Sequence, residues 1–267
     1  MISKNILLVG CGKMGSALFG GLLPNLESKS QAIIVSPSGK GSEFGTKLVN
    51  TAEEIPSNFK ADIIILAVKP QIIEGVLTSY KKYANGRSLF ISVAAGKTLG
   101  FFSKHLGDSA PVIRAMPNLP SFIGQGITTM CSNAKVTNEQ KEIASLLFES
   151  VGSAIWLDDE SLMDVSTGLA GSGPAYVFHF IECLINAAID EGLSHEIATK
   201  LAIDTVIGSA MLAKSSKKSV SELKEQVISP NGTTQAGIDA LTKDDSLEKL
   251  IKQTINAATK RSKELAD

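Results

Sequence analysis

Apolar residues in the first 157 positions come in short blocks, each closed by glycine, proline or a polar cluster. Asn5-Ile6-Leu7-Leu8-Val9, Ala32 to Val35, Asp62-Ile63-Ile64-Ile65-Leu66-Ala67-Val68, Leu89 to Val93 and Val112 to Ala115 lack the polar alternation of a half-exposed strand. That pattern predicts strands buried on both faces of a parallel sheet. Helical spacing fills the gaps: Ser16-Ala17-Leu18-Phe19 follows the first run, and Ile72, Ile73, Val76 and Leu77 follow the third. Lys69-Pro70 stops that third run, and the pattern puts Pro70 in the first turn of the helix behind it. Ile127 to Cys131 and Ala154 to Leu157 read as late strands on the sheet's edge. Between them Thr137-Asn138-Glu139-Gln140 is a capping box that opens a helix reaching about Ser150. Strands alternating with helices predict an open, doubly wound α/β domain over residues 1–160.

Beyond Asp158-Asp159-Glu160 the period changes, and residues 161–267 read as all-helical. Long helices are predicted over Pro174 to Glu191, Ser194 to about Lys214 and from Ser246 on, with shorter ones near Ser221 to Val227 and Thr233 to Leu241. Between Ala175 and Ile189 only Tyr176, His179, Glu182 and Asn186 interrupt the apolar surface, the last three on one narrow stripe. A helix apolar almost all round is covered on nearly every side. Ala198 to Ala213 is similarly rich in Ala, Ile, Leu, Val and Met, and a helical region of about a hundred residues encloses two such helices poorly by itself. A second copy of the chain is the simplest cover, so this region is expected to be a dimerisation domain.

Composition narrows the function classes. Lys plus Arg is 26 and Asp plus Glu 27, a net charge of −1, which gives no footprint for nucleic acid or an anionic membrane. The longest apolar runs are too short to span a bilayer, and no signal peptide is visible. Three dispersed cysteines without a C-x-x-C pair fit a reducing cytoplasm. His105, His179 and His195 lack ligand spacing, so no metal site is expected.

The chemistry begins at Gly10-Cys11-Gly12-Lys13-Met14-Gly15, directly after the first strand and before the first helix. In that context G-x-G-x-x-G is a dinucleotide fingerprint and makes the domain Rossmann-like. Gly10 makes the tight turn, Gly12 lets backbone approach a pyrophosphate, and Gly15 lets helix and strand pack. The phosphates then meet the helix's free amides and positive end. The second strand ends in Val35-Ser36-Pro37-Ser38-Gly39-Lys40 without an acid. A carboxylate would grip ribose hydroxyls, whereas Ser36, Ser38 and Lys40 suit a 2′-phosphate, so NADPH is favoured, with NADH also accommodated by serines.

Five further stretches occur in order: Leu66-Ala67-Val68-Lys69-Pro70-Gln71, Val93-Ala94-Ala95-Gly96, Arg114-Ala115-Met116-Pro117-Asn118-Leu119-Pro120, Gly171-Ser172-Gly173-Pro174-Ala175-Tyr176 and Ser229-Pro230-Asn231-Gly232-Thr233-Thr234. With the glycine loop they closely resemble the pyrroline-5-carboxylate reductases, from the loop to at least Leu241. The resemblance implies NAD(P)H-dependent reduction of a cyclic imine to L-proline, the last step of proline synthesis. It also implies a helical domain intertwined with a partner's, giving a homodimer or a higher assembly of dimers. By the same match Ala67, Val68, Lys69, Pro70, Ala94, Ala95, Gly96, Pro117 and Asn118 lie near the nicotinamide half, and Asn50 touches the adenosine side. The Gly-Thr-Thr stretch holds substrate at the dimer interface.

The residues make chemical sense of this. A glycine and hydroxyls opening a helix form a carboxylate site, since free amides and the dipole point outward. Pyrroline-5-carboxylate carries a carboxylate beside an imine nitrogen. Amides near Gly232 and Thr233 suit the carboxylate, the Thr234 hydroxyl suits the nitrogen, and Ser229 stands beside them; plain capping by Ser229 or Asn231 is the competing reading. Asn231 replaces a glycine that the family often has, and asparagine tolerates left-handed backbone. Two other functions remain in view: a two-domain hydroxyacid or ketopantoate-type NADP reductase, and a non-catalytic dinucleotide sensor. The former needs a lysine in the helical half, and none follows Gly171-Ser172-Gly173 before Lys200.

Overall fold

The computed structural model describes residues 2–266. Eight strands form one sheet: β1 (Ile6–Val9), β2 (Ala32–Val35), β3 (Lys47–Val49), β4 (Ile63–Leu66), β5 (Leu89–Ser92), β6 (Val112–Met116), β7 (Gly126–Ser132) and β8 (Gly152–Trp156). Their order is β3-β2-β1-β4-β5-β6-β7-β8. The first six are mutually parallel, β7 runs antiparallel to β6, and β8 is parallel to β7. The two late strands therefore extend one edge, as expected from their position in the chain.

Period 2 explains the unbroken apolar runs: successive side chains enter opposite faces, and both faces are covered. Ile6, Leu8, Ile34, Ile63 and Ile65 pack with Leu18, Phe19 and Leu22 of α1 (Lys13–Leu22) and Leu147 and Phe148 of α4 (Asn138–Glu149). Leu7, Val9, Ile33, Ile64 and Leu66 pack on the other side with Ile73 and Leu77 of α2 (Ile73–Tyr80) and Phe102 and Leu106 of α3 (Leu99–Leu106). The predicted capping box is present, with Thr137 accepting from the Gln140 amide.

Three local expectations differ. β3 escapes the pattern because it has three residues, one of them a charged lysine. Among the described residues no α-helix separates β2 from β4; short 3₁₀ turns, Ser42–Phe44 and Ala52–Glu54, take its place. Pro70 lies before α2 instead of inside its first turn, since the amide of Ile72 turns back to the Lys69 carbonyl at 3.1 Å and the helix begins at Ile73.

The chain forms two compact units: one runs to Ser172 and takes in the residues from Ala257 on, and the other is Gly173–Asn256. Residues 161–172, helical by pattern, fold with the sheet unit. There α5 (Met163–Ser166) and a wider π-helical turn, Thr167–Gly171, follow β8, and Ser166 donates to the Thr129 hydroxyl of β7 at 2.8 Å. Ser262 donates to Asp164 at 2.7 Å within the same unit.

The second unit holds α6 (Gly173–Asp190), α7 (His195–Ser215), α8 (Val220–Val227), α9 (Thr233–Thr242) and the first half of α10 (Ser246–Ala266). Ser194 caps α7, and a Ser219–Glu222 capping box opens α8. Although α6 is mostly apolar, none of its side chains is buried, and Phe178 remains 55% exposed. On α7, Ile207 is 50% and Met211 66% exposed. Water is a costly cover for so much apolar surface. No described helix is long and apolar enough to cross a membrane.

Static light scattering at micromolar concentration is therefore expected to give at least twice the 28.1 kDa chain mass. A monomer that unfolds cooperatively would refute the homodimer.

Candidate functional site

The parallel register brings the predicted dinucleotide residues to one edge. Val9 lies between Val35 and Leu66, so Gly10, Ser36 and Ala67 leave the sheet side by side. The Gly10 amide donates to the Val35 carbonyl at 2.9 Å, that of Ala67 to Val9 at 2.8 Å, and that of Val93 to Leu66 at 3.1 Å. From β1 the chain proceeds to β2 and β3 on one side, and β4 to β6 follow on the other. That reversal opens a crevice beyond the carboxyl ends of β1 and β4, where open α/β sheets take their ligands.

Each glycine of the loop has a distinct geometry. Gly10 has φ +90°, and a β-carbon there would meet the Ala67 carbonyl oxygen at 2.7 Å. At Gly15 it would stand 2.3 Å from the Gly10 carbonyl oxygen, so α1 sits on β1 only without a side chain. Gly12 is the opposite case, with nothing within 4 Å of the same position. Gly12 is also the N-cap of α1, with no side-chain cap and no acid in the first turn. The first-turn amides of Lys13, Met14 and Gly15 therefore have no side-chain cap, and the space beside Gly12 is open, which suits an anion. Cys11 within the loop is buried and hydrogen-bonded to Ser16 at 3.3 Å, and burial pushes its thiol pKa up, away from the thiolate.

At the carboxyl end of β2, Ser36 is buried and shares a hydrogen bond with the exposed Ser38, hydroxyl to hydroxyl at 3.3 Å. Lys40 and Asn50 are exposed. Asn50 reaches this side because β3 pairs with β2: the Ser36 amide donates to Val49 at 2.9 Å, one residue before it.

On the other side, Ala67, Val68, Lys69 and Pro70 follow β4, and Ala94, Ala95 and Gly96 follow β5. Gly96 has φ +75°, and its missing β-carbon would lie 2.7 Å from the Leu265 carbonyl oxygen. Pro117 and Asn118 follow β6, and both are buried. Asn118 is a brace: its carbonyl accepts from the Ile127 amide at 3.0 Å and its amide donates to Ala170 in the π-helical turn at 3.0 Å.

Sequence reasoning missed a charged pair here. Arg114, in the middle of β6 and 7% exposed, is bonded to Glu160. The same carboxylate accepts from the Leu99 amide at 2.7 Å. An arginine inside Val112-Ile113-Arg114-Ala115-Met116 was the available signal, because a buried charge requires a partner.

The remaining predicted residues form their own site at α9. Gly232 is the N-cap, and no side chain caps it, so neither Ser229 nor Asn231 does so. Instead the Gly232 amide turns back to the Ser229 carbonyl at 2.9 Å, and a β-carbon at Gly232 would strike the Ser229 hydroxyl at 2.2 Å. Asn231 takes the left-handed conformation, φ 59°. Thr233 and Thr234 are the first two helical residues, Thr233 exposed and Thr234 half-buried, with no acid in the turn. Lys200, the lysine a carbonyl-polarising mechanism would draw on, is paired with Asp204 at 2.7 Å.

Comparison with known proteins meets this geometry. The family model described as pyrroline-5-carboxylate reductase dimerisation matches residues 160–265. A second, described as NADP oxidoreductase coenzyme F420-dependent, matches residues 5–96. The chain is 36% identical over 272 residues to a pyrroline-5-carboxylate reductase of Pseudomonas aeruginosa, covering 100% of this chain and 98% of that one. The structure of a pyrroline-5-carboxylate reductase from Coxiella burnetii superposes with a TM-score of 0.93 at 33% identity, covering 100% of both chains. A Plasmodium falciparum pyrroline carboxylate reductase with NADP bound does so with a TM-score of 0.86 at 33% identity, again over 100% of both.

Gly15→Ala tests the cradle. Its methyl group must displace the Gly10 carbonyl, so stability is expected to fall by about 1–3 kcal/mol in urea denaturation, the range for overpacking. NADPH affinity, read by fluorescence titration, should fall with it; an unchanged dissociation constant would place the dinucleotide elsewhere.

Proposed function

The chain belongs to the pyrroline-5-carboxylate reductase family, and from that premise we propose how its own residues divide the reaction. It is an NADP-dependent oxidoreductase that reduces the C=N bond of pyrroline-5-carboxylate to give L-proline. The observation that carries the assignment is the full-length match together with two uncapped, acid-free helix N-termini, one for each anionic group of the two reactants.

The amides that open α1 hold the pyrophosphate, and Gly12 leaves room for it. Ser36, Ser38 and Lys40 take the 2′-phosphate and Asn50 the adenosine side. Ala67 to Pro70, Ala94 to Gly96, Pro117 and Asn118 form the nicotinamide side. When bound, NADPH supplies the hydride. The free amides that open α9, from Thr233 on, hold the substrate carboxylate; the Gly232 amide is taken by the Ser229 carbonyl, so Gly232 and Ser229 shape the turn behind them, and Thr234 orients the imine nitrogen through its hydroxyl. A threonine hydroxyl is too weak an acid to protonate an imine, so the proton comes with the substrate or from water. Positioning is then the chief contribution of the protein.

The functional boundary falls near residue 160, with residues 1–160 serving the dinucleotide and 161–267 serving dimerisation and substrate. The chain forms a homodimer through its helical region. We further assign higher assemblies built on dimers, a cytoplasmic location and a small-molecule substrate without nucleic-acid partners. The net charge of −1 and the dispersed cysteines support this.

Two variants test the reading. Thr234→Ala removes one hydrogen bond to a charged or charge-developing group, worth about 1.5–3 kcal/mol, and leaves a good helix former. Steady-state assay with pyrroline-5-carboxylate should show kcat/KM down by roughly ten- to a hundredfold, with the NADPH dissociation constant unchanged. Wild-type turnover would remove Thr234 from the mechanism. Ser38→Asp puts a carboxylate beside the 2′-phosphate, where about 1–4 kcal/mol of repulsion is expected. NADPH affinity should fall roughly tenfold or more while NADH affinity holds. An unaltered ratio of the two would move the 2′-phosphate off this loop.

A further inference from the structure

Arg114 is buried and its partner Glu160 half-buried, so desolvating the guanidinium offsets much of their attraction and leaves the pair a modest stabiliser. The position of the pair suggests another use. Arg114 lies two residues before Met116, on the strand that delivers Pro117 and Asn118. Glu160 begins the segment that follows β8, and its carboxylate also accepts from the Leu99 amide at 2.7 Å. Leu99 is the first residue of α3, three positions beyond Gly96. One carboxylate thus links β6 to the loop after β5, the two segments that carry Pro117-Asn118 and Ala94-Ala95-Gly96. On its other side Gly96 is backed by the Leu265 carbonyl, with φ +75° and no space for a side chain. The loop is therefore pinned at both ends.

The geometry points to Glu160 as a positioning residue for hydride transfer: held in orientation by Arg114, it fixes the β5–α3 loop and the end of β6 relative to one another. This rests on the assignment of those two segments to the nicotinamide side. The carboxylate itself touches neither reactant. Its charge compensates Arg114, and its acceptor oxygen holds the loop; these two roles separate by mutation.

Glu160→Gln keeps an acceptor for the Leu99 amide but removes the charge. Its melting temperature is expected to fall because Arg114 is left buried without a counter-charge, while kcat per folded molecule stays within about threefold of wild type, the span of a retained near-attack geometry. Arg114→Met with Glu160→Ala removes both charges and the acceptor. Its melting temperature should recover towards wild type, while kcat stays down roughly ten- to a hundredfold, as for an ångström-scale misplacement, and NADPH binds more weakly. Recovery of kcat and NADPH affinity along with the melting temperature in the double variant would overturn the proposal and leave a purely structural pair. If the double variant does not fold, Glu160→Gln decides: a kcat loss equal to that of Glu160→Ala refutes the acceptor role. NADPH titration needs no imine, so a wild-type protein that binds NADPH without reducing pyrroline-5-carboxylate would refute the activity while the positioning of the loop is still measured.

Discussion

The contact between Gly15 and the Gly10 carbonyl governs much of the sheet unit. The 2.3 Å that a β-carbon would have there leaves no room for any side chain, so the axis of α1 is set by backbone touching backbone. Because α1 lies so close to β1, its free amides come to the crevice where the strand order reverses. The missing side chain is thus also the reason the helix end can serve an anion. Ala67 shares the contact, lying 3.2 Å from the same virtual atom, so β4 enters it as well. A helix end seated on backbone and one alanine methyl needs no hydrogen-bonding side chain of its own to meet an anion.

Most of this was legible in the residues because the forces are local. Buried parallel strands read as unbroken apolar runs, a glycine loop reads as a close approach, and Thr137 with Gln140 reads as a helix start. What escaped depends on tertiary partners. β3 has too few residues to show a period, and only its pairing with β2 makes it a strand. Arg114 and Glu160 are 46 positions apart, so nothing local links them. Asn118 was read as a cofactor contact, yet its side chain ties β7 to the turn at Ala170. At α9 the sequence left side-chain capping by Ser229 or Asn231 open, and only the turn shows that Gly232 itself is the cap.

The π-helical turn shows how a local irregularity serves the fold. The Ser172 amide reaches back five residues to the Thr167 carbonyl at 2.9 Å, so Thr167–Gly171 is wider than an α-turn. Within it the Ala170 carbonyl accepts from Asn118, and Gly171 accommodates Met116, whose methyl would lie 2.8 Å from a β-carbon there. Such turns are uncommon and gather at functional sites. Here the turn ends the first stretch of the sheet unit, directly before α6 in the chain. The strongly patterned Gly171-Ser172-Gly173-Pro174 stretch accordingly has a backbone explanation: small residues permit the wide turn, and Pro174 suits the first turn of the helix after it.

The return of residues 257–266 to the sheet unit has a consequence for synthesis. Ser262 bonds Asp164 across a separation of 98 positions, and Leu265 backs Gly96 across a longer one. On the ribosome β1 to β8 emerge well before these partners, and domains tend to fold as their segments appear. The nascent sheet can pair its strands early, but the loop after β5 lacks its backing until the whole helical unit has been made. Contacts so distant in sequence form slowly because the loop-closure entropy comes first. Completion of the dinucleotide half is thereby scheduled after translation of the half that dimerises, so an unfinished chain has a formed sheet with an unsupported loop after β5.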